Sequence, residues 1–337
     1  MKDLGGTAAK PKILIIKLSA LGDLFHALPV VHNLKSELNA EIHWVVQKEY
    51  SGLVKCFTDV DRVIPFHRKS FFSNFITFTQ QLRSEQYDYI IDLQGLLKSA
   101  VVATLAKGKT RIGPSFHREG AGFFYSGIAG KRDKNRHAVE ENLDVVRYLN
   151  LKLIEPQFPV NFPKVNVSGK QPRVAILPES RWFAKNWPAE SFAEVIKRLQ
   201  ASRNMSLYIV GSSRNTETCS LIESMLPEKI TKMAGKTSMT ELGGFLSQMD
   251  LLIANDSGPV HMAVAVGTPT LTIFGPTDPV RTGPYGNKKH RVIKTTLSCQ
   301  PCFSRTCSKG QSIPCIANIT PDEVHKAAID MLNGRVS

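Results

Sequence analysis

No apolar run in this 337-residue chain is long enough to cross a bilayer; the longest, such as Pro269 to Phe274, end after one strand's length. The N-terminus carries neither an apolar h-region nor a small-residue cleavage site, and Met1 to Lys10 reads as a polar lead-in. The protein is therefore expected in the cytoplasm. Acidic residues are scarce: 29 Asp and Glu stand against 43 Lys and Arg, a formal charge of +14. That excess points to an anionic partner: nucleic acid, a phosphorylated small molecule or an acidic membrane surface. No basic run reaches the length of a nucleic-acid arm and no RNA- or DNA-binding signature stands out, so nucleic acid is not an expected partner. Attachment to a membrane surface through basic and aromatic residues stays open. Cysteine is sparse too, six in all, which in a cytosolic chain argues against a disulfide scaffold. Four of the six cluster near the C-terminus.

What is present is alternation. In the first half, strand-like runs at Ile13–Leu18, Ile42–Val46, Arg62–Phe66, Tyr87–Leu93 and Thr110–Gly113 are interleaved with helical spacing to about Leu38, over Phe75–Ser84 and over Leu96–Ala106. Phe116 to Asn135 has no clean period and reads as a long loop or two short helices; Val139 to Leu149 resumes as a helix. Four prolines between Glu155 and Pro172 break the pattern, which reads as an interdomain linker. The second half repeats the scheme: strands at 173–177, 207–211, 230–233, 251–254 and 270–274, with helices between them and a last helix over Val324–Leu332. The expected organisation is α/β: a doubly wound, Rossmann-like domain over 1–155, a linker over 156–172 and a second such domain over 173–337. Such domains in series suit one active site in the cleft between them.

Three strand-to-helix turns carry the chemistry. The first is Lys17-Leu18-Ser19-Ala20-Leu21-Gly22-Asp23, after the buried run Ile13–Ile16. Gly22 would let the backbone turn sharply, and Asp23 can either cap the helix or be presented to a ligand. The second is Asn255-Asp256-Ser257-Gly258-Pro259-Val260-His261, where backbone N–H groups at a helix start suit a phosphate and Pro259 fits the first turn. A further polar turn, Phe274 to Pro279, ends the next strand. The third is Pro178 to Pro188, in which Arg181 and Lys185 can offer positive charge to a diphosphate, Lys185 with help from the helix dipole that follows. Each also has a plainer reading, as a cap, a packed histidine or a pair of surface cations.

Taken together with Asp92-Leu93-Gln94-Gly95-Leu96-Leu97-Lys98-Ser99-Ala100 and His137-Ala138-Val139-Glu140, these turns resemble the lipopolysaccharide heptosyltransferases of glycosyltransferase family 9. The likeness covers nearly the whole chain. The 92–100 and 137–140 segments look most like the members that add the first heptose to the Kdo of lipid A. The resemblance implies a GT-B fold, with two Rossmann-like domains facing a central cleft. It implies inverting transfer of L-glycero-D-manno-heptose from ADP-heptose to Kdo-lipid A, by a cytoplasmic enzyme peripheral to the inner membrane.

By motif, Asp23 matches the family's proposed base and Lys185 its phosphate-binding lysine. Asp256, Ser257 and Gly258, with His261 beside them, match its donor turn. Ser180 and Arg181 fall where relatives carry small hydroxyl residues, so Arg181 departs from the pattern. Glu217 and Met239 match further donor-side positions. Lys98, Arg118, Lys131, Arg132 and Arg136 are candidates for the anionic acceptor. No Asp-x-Asp metal motif lies near the expected diphosphate site, so the chemistry is expected to need no cofactor. Two other readings remain: transfer to heptosylated core or to a protein such as an autotransporter, and a nucleotide-sugar binding module without catalysis. The cysteines Cys299, Cys302, Cys307 and Cys315 form one pair at metal-knuckle spacing with two more within reach. They suit a structural zinc or iron site, or stand as reduced thiols in a surface loop. Similar segments occur in some relatives, including those that modify autotransporters.

Overall fold

The computed structural model describes residues 10–335 apart from 203, 214–215, 287–288 and 311–312. Most of the polar lead-in thus lies outside the described residues. The chain divides into two compact units. One comprises the described residues of Met1–Asp133 with Ala138–Asn161; the other comprises Lys134–His137 with the described residues of Phe162–Ser337.

The first unit is built on strands β1 (Lys12–Ile16), β2 (Glu41–Gln47), β3 (Arg62–Phe66), β4 (Gln86–Asp92), β5 (Lys107–Pro114) and β6 (Gly127–Ala129). The second has β7 (Arg173–Leu177), β8 (Ser206–Ile209), β9 (Thr231–Lys232), β10 (Leu251–Asn255), β11 (Thr270–Phe274) and β12 (His290–Lys294). Spatial orders are β3-β2-β1-β4-β5-β6 and β12-β11-β10-β7-β8-β9. Read in each unit's own sequence, both are 3-2-1-4-5-6, the doubly wound order, and neighbouring strands pair in parallel. Central strands β1, β10 and β11 are buried on both faces because helices cover both. The order reverses between β1 and β4 in one sheet and between β7 and β10 in the other. Loops leaving those strands diverge and open a crevice at the carboxyl edge.

The structure departs from the sequence reading in definite places. Gly22 is not the turn: it is the second residue of the helix Leu21–Leu38, and the bend lies at 17–20. Phe116–Asn135 holds a 3-10 turn, Ala121–Phe124, and strand β6, too short at three residues to show a period. The helix expected over Val139–Leu149 breaks at Leu143 into Ala138–Asn142 and Asp144–Tyr148. β12 has no apolar signature because it is an edge strand, half-buried along its length. Within the Pro-rich stretch, Val160 bridges to Phe57 and the Asn161 N–H donates to the Cys56 carbonyl in the first unit. Phe162 then packs over Gly243 in the second, where a Cβ would strike its ring. Each half of that stretch is thus pinned to one unit.

Candidate active site

In the second unit the loops after β7, β10 and β11 converge. Lys185, in a 3-10 turn after β7, donates from Nζ to Asp256 Oδ2 at 2.5 Å. The same oxygen accepts from the Thr277 hydroxyl at 2.6 Å. Both charged side chains are largely buried, 16% and 6% exposed. Lys185 therefore points to the carboxylate after β10, not to the dipole of the helix that follows it. Its Nζ also lies 4.8 Å from the Trp182 ring centroid, and the Arg305 guanidinium lies 5.1 Å from the same ring. Asn255 locks the loops: its Nδ2 donates to the Pro178 carbonyl at 2.6 Å and its Oδ1 accepts from the Trp187 N–H at 3.1 Å. The Ser180 N–H donates to Asn186 Oδ1 at 2.7 Å, which fixes Ser180 in the same loop, while Arg181 is exposed. Helix Gly258–Ala265 starts from Ser257 in extended backbone, with proline in its first turn. Ser257 makes no side-chain cap, and its hydroxyl is buried without a hydrogen-bond partner. His261 is buried one turn in. Burial, Lys289 and His261 together push His290 down to about 4.

Glu217 and Met239 stand farther along the same edge. They open the helices Thr216–Ser224 and Met239–Leu246, the second behind a Ser238–Glu241 capping box.

In the first unit the turn after β1 is held by the loop after β4. Gln94 Oε1 accepts from the Leu18 and Ser19 N–H groups at 3.0 Å each. Asp92 is wholly buried; its Oδ1 accepts from the N–H groups of Gln94 (2.7 Å) and Gly95 (3.1 Å), its Oδ2 from the Tyr125 hydroxyl (2.7 Å). Burial pushes the Asp92 carboxyl up, against the pull of Tyr125, Ser99 and those two N–H groups. Gly95 takes a left-handed φ of +68°, and a Cβ there would crowd Pro114 and His117, so this bend requires glycine. Lys17 is buried, with Nζ 2.6 Å from the Leu93 carbonyl. Burial lowers its pKa, against the charges of Asp23, Asp92 and Glu141.

Asp23 does two things on this platform. Its Oδ2 accepts from the Ala20 N–H at 2.9 Å, the cap the sequence allowed for. Its Oδ1 lies 3.9 Å from His26 Nδ1, and the side chain is 45% exposed. The carboxylate is anchored by one oxygen and accessible, the arrangement a proton acceptor needs. The Asp59-Val60-Asp61 pair is engaged in the fold instead: Asp59 binds His32 at 2.8 Å and Asp61 binds Lys35 at 2.6 Å.

The acceptor-side candidates do not form one cluster. Lys98 sits in the first turn of helix Leu97–Leu105, and the Arg118 N–H bonds the Gly95 carbonyl at 2.8 Å. Lys131 and Arg132 are exposed just past β6, and Arg136 belongs to the segment that joins the second unit. In that segment His137 bonds the Gly283 carbonyl at 3.0 Å.

Cys299, Cys302, Cys307 and Cys315 line one cavity of about 110 Å³. Burial pushes the Cys315 thiol up, and the other three push it the same way. Among the described residues no three His, Cys, Asp or Glu side chains converge to hold a metal ion. The lobe is tied to the turn after β11: Gln300 Nε2 donates to the Gly275 carbonyl at 2.7 Å and the Phe303 N–H to the Pro276 carbonyl at 2.9 Å.

Thr277, Asn255 and Gln94 were not named as site residues from sequence, although each lies inside a turn that was.

The chain is similar to the lipopolysaccharide core heptosyltransferase OpsX of Haemophilus influenzae, 26% identical over 314 residues and 90% of each chain. It is similar to lipopolysaccharide heptosyltransferase 1 of Pseudomonas aeruginosa, 28% identical over 320 residues, 88% of this chain and 87% of that one. It shares its fold with the E. coli heptosyltransferase WaaC solved with ADP, at a TM-score of 0.80 and 24% identity over 95% of this chain and 99% of that one. Residues 75–313 match the model of glycosyltransferase family 9 (heptosyltransferase), more than half of the chain, so this protein is a GT-B enzyme belonging to that family.

Proposed function

We propose that this enzyme transfers a heptosyl group from ADP-heptose to the inner core of lipopolysaccharide, with Kdo-lipid A as acceptor and inversion at the anomeric carbon. The observation that carries the reading is the Lys185–Asp256–Thr277 cluster, three loops meeting at the switch point of one sheet. A diphosphate arriving there competes with Asp256 for the Lys185 ammonium, and the buried Ser257 hydroxyl gains a partner. Support for the donor comes from WaaC, whose structure holds ADP; support for the acceptor comes from relatives named as lipopolysaccharide heptosyltransferases.

In the proposed reaction the acceptor hydroxyl attacks the anomeric carbon as Asp23 takes its proton. The bond to the β-phosphate oxygen breaks on the opposite face and ADP departs. Lys185 holds the charge that develops on the leaving group. Ser180, Arg181, Glu217, Met239, Asp256, Ser257, Gly258 and His261 form the donor side in this reading; Lys98, Arg118, Lys131, Arg132 and Arg136 are its scattered candidates for the anionic acceptor. No divalent ion is assigned to the chemistry, so EDTA is expected to leave transfer intact. Loss of turnover in EDTA, restored by magnesium, would overturn that assignment.

The four cysteines are proposed as a structural zinc or iron site. Four thiols on one cavity are a soft donor set of the right number, and ligation requires them to turn inward. About one equivalent of metal in protein purified without chelator is expected, and well under one sinks the site. The test of function is transfer from ADP-heptose to Kdo-lipid A, read as ADP release and one added heptose. ADP release without mass gain on this acceptor would redirect the reading to heptosylated core or to a protein. No ADP release would remove the donor.

A further inference from the structure

Helices Phe71–Arg83 and Leu97–Leu105 pack side by side on one face of the first unit's sheet. Phe78 and Leu82 of the first share a core cluster with Val102 and Ala103 of the second. The turn Ala121–Phe124 lies against the second helix. An amphipathic helix of a soluble domain ordinarily turns polar groups outward. These do not. Opposite its buried residues, the first helix exposes Phe72 (92%) and Ile76 (71%), with Phe75 beside them. The second helix exposes Leu97 and Val101, one turn apart, and the adjoining turn exposes Phe123 (94%). Both helices begin just past the carboxyl ends of β3 and β4, so Phe72 and Leu97 lie at the edge of the sheet that carries Asp23.

Apart from Glu119, whose carboxylate accepts from the Leu97 N–H at 3.2 Å, the charge around this patch has one sign. No Asp or Glu occurs between Arg62 and Ser84, and Glu119 is the only one between Leu93 and Arg132. Lys98 is exposed on the second helix, and Arg68, Lys69 and Arg118 are exposed in the segments that lead into the first helix and the turn. A second copy of this chain would bring like charge against like charge. An anionic lipid surface complements both features, taking aromatic and aliphatic side chains into the headgroup boundary and pairing its phosphates with the cations.

We propose that this face, centred on Phe72 and Ile76 and rimmed by Arg68 and Lys69, docks the protein on an anionic bilayer. It would set the Asp23 edge near the membrane, where an acyl-anchored acceptor presents its sugar. That last consequence rests on the acceptor reading above; the docking itself does not.

The experiment is co-sedimentation of the full chain with vesicles of phosphatidylethanolamine and phosphatidylglycerol, compared with phosphatidylcholine alone, without donor or acceptor. Wild type is expected on the anionic vesicles, with binding weakened by salt. The double variant Phe72→Ser/Ile76→Ser is expected to lose more than ten-fold in partition. Its melting temperature, and its ADP release with a deacylated, water-soluble acceptor, should stay unchanged. Arg68→Gln/Lys69→Gln should lose several-fold, chiefly at low salt. A Phe72→Trp variant should be quenched by brominated lipid. Equal partition of wild type and the Phe72→Ser/Ile76→Ser variant overturns the proposal. So does absence of wild type from anionic vesicles, or a wild-type dimer that this variant dissociates. Failure of transfer with intact vesicle binding would count against the acceptor reading alone.

Discussion

The two units share a strand order and a switch point, and they use them differently. At the first switch point the loops are held mainly by side chains that accept from backbone N–H groups, Gln94 from Leu18 and Ser19, Asp92 from Gln94 and Gly95, Asp23 from Ala20, with the Tyr125 hydroxyl on Asp92 as the side chain-to-side chain exception. The result is a fixed platform with one accessible carboxylate. At the second switch point the central bonds join side chain to side chain, Lys185 and Thr277 on Asp256. The cation is already neutralised there, and the pair can open to exchange one anion for another. A rigid platform suits a base that must meet a hydroxyl in one geometry. An exchangeable ion pair suits a leaving group that must arrive and depart.

The sharpest way to break this contrast is Asp23→Asn. The amide oxygen can still accept from Ala20, so the fold should hold while turnover falls by ~10²–10⁴-fold. Unchanged donor affinity by calorimetry, with near-normal turnover, would remove the base and leave Asp23 only a cap. Lys185→Ala tests the other side. It should weaken ADP binding about ten- to hundred-fold, in line with roughly 1.5–3 kcal/mol for a charge-assisted bond, and affect acceptor affinity little. Equal ADP affinity would show that the pair is structural. Gln94→Ala probes the platform itself. Two part-buried N–H groups lose their acceptor, so denaturant titration should register a loss of about 1 kcal/mol, and turnover should fall with no change in ADP affinity. A donor-affinity loss matching that of Lys185→Ala would deny the separation of roles.

The effect absent at neutral pH is the second unit's pH response. His290 titrates near 4 when folded and near 6.5 when unfolded. Its ring therefore stays neutral in the fold while the unfolded chain takes up a proton. Stability should be unaffected above pH 6.5, then fall toward pH 4 by at most roughly 1.4 kcal/mol per pH unit. Denaturation series of wild type and His290→Gln should differ in slope only in that window.

Much of this was legible in the chain. Val-, Ile- and Leu-rich runs bounded by turns located the central strands, because strands buried on both faces must be apolar throughout. β3 and β11 fall where the pattern put them. Asp23, Lys185 and Asp256 were readable as turn residues because polar groups following a buried strand have few other uses. β6 and β12 were not readable: a three-residue strand shows no period, and an edge strand is not buried enough to need one. Asp23's cap and its presentation to a ligand were visible as alternatives, but not that one carboxylate would cap with one oxygen and stay accessible.

By itself, then, the sequence determined the alternating α/β plan, its repetition in two halves, the basic balance, and which strand ends would be polar. These follow from local period and composition. Only the tertiary structure decided that Lys185 would meet a carboxylate 71 residues away rather than a helix dipole. It also decided that Gln94 would hold the turn before Asp23, and that the outer faces of two helices would leave phenylalanine and isoleucine uncovered. The reason is physical: strand order sets which loops become neighbours, and strand order is a long-range property that no local pattern encodes.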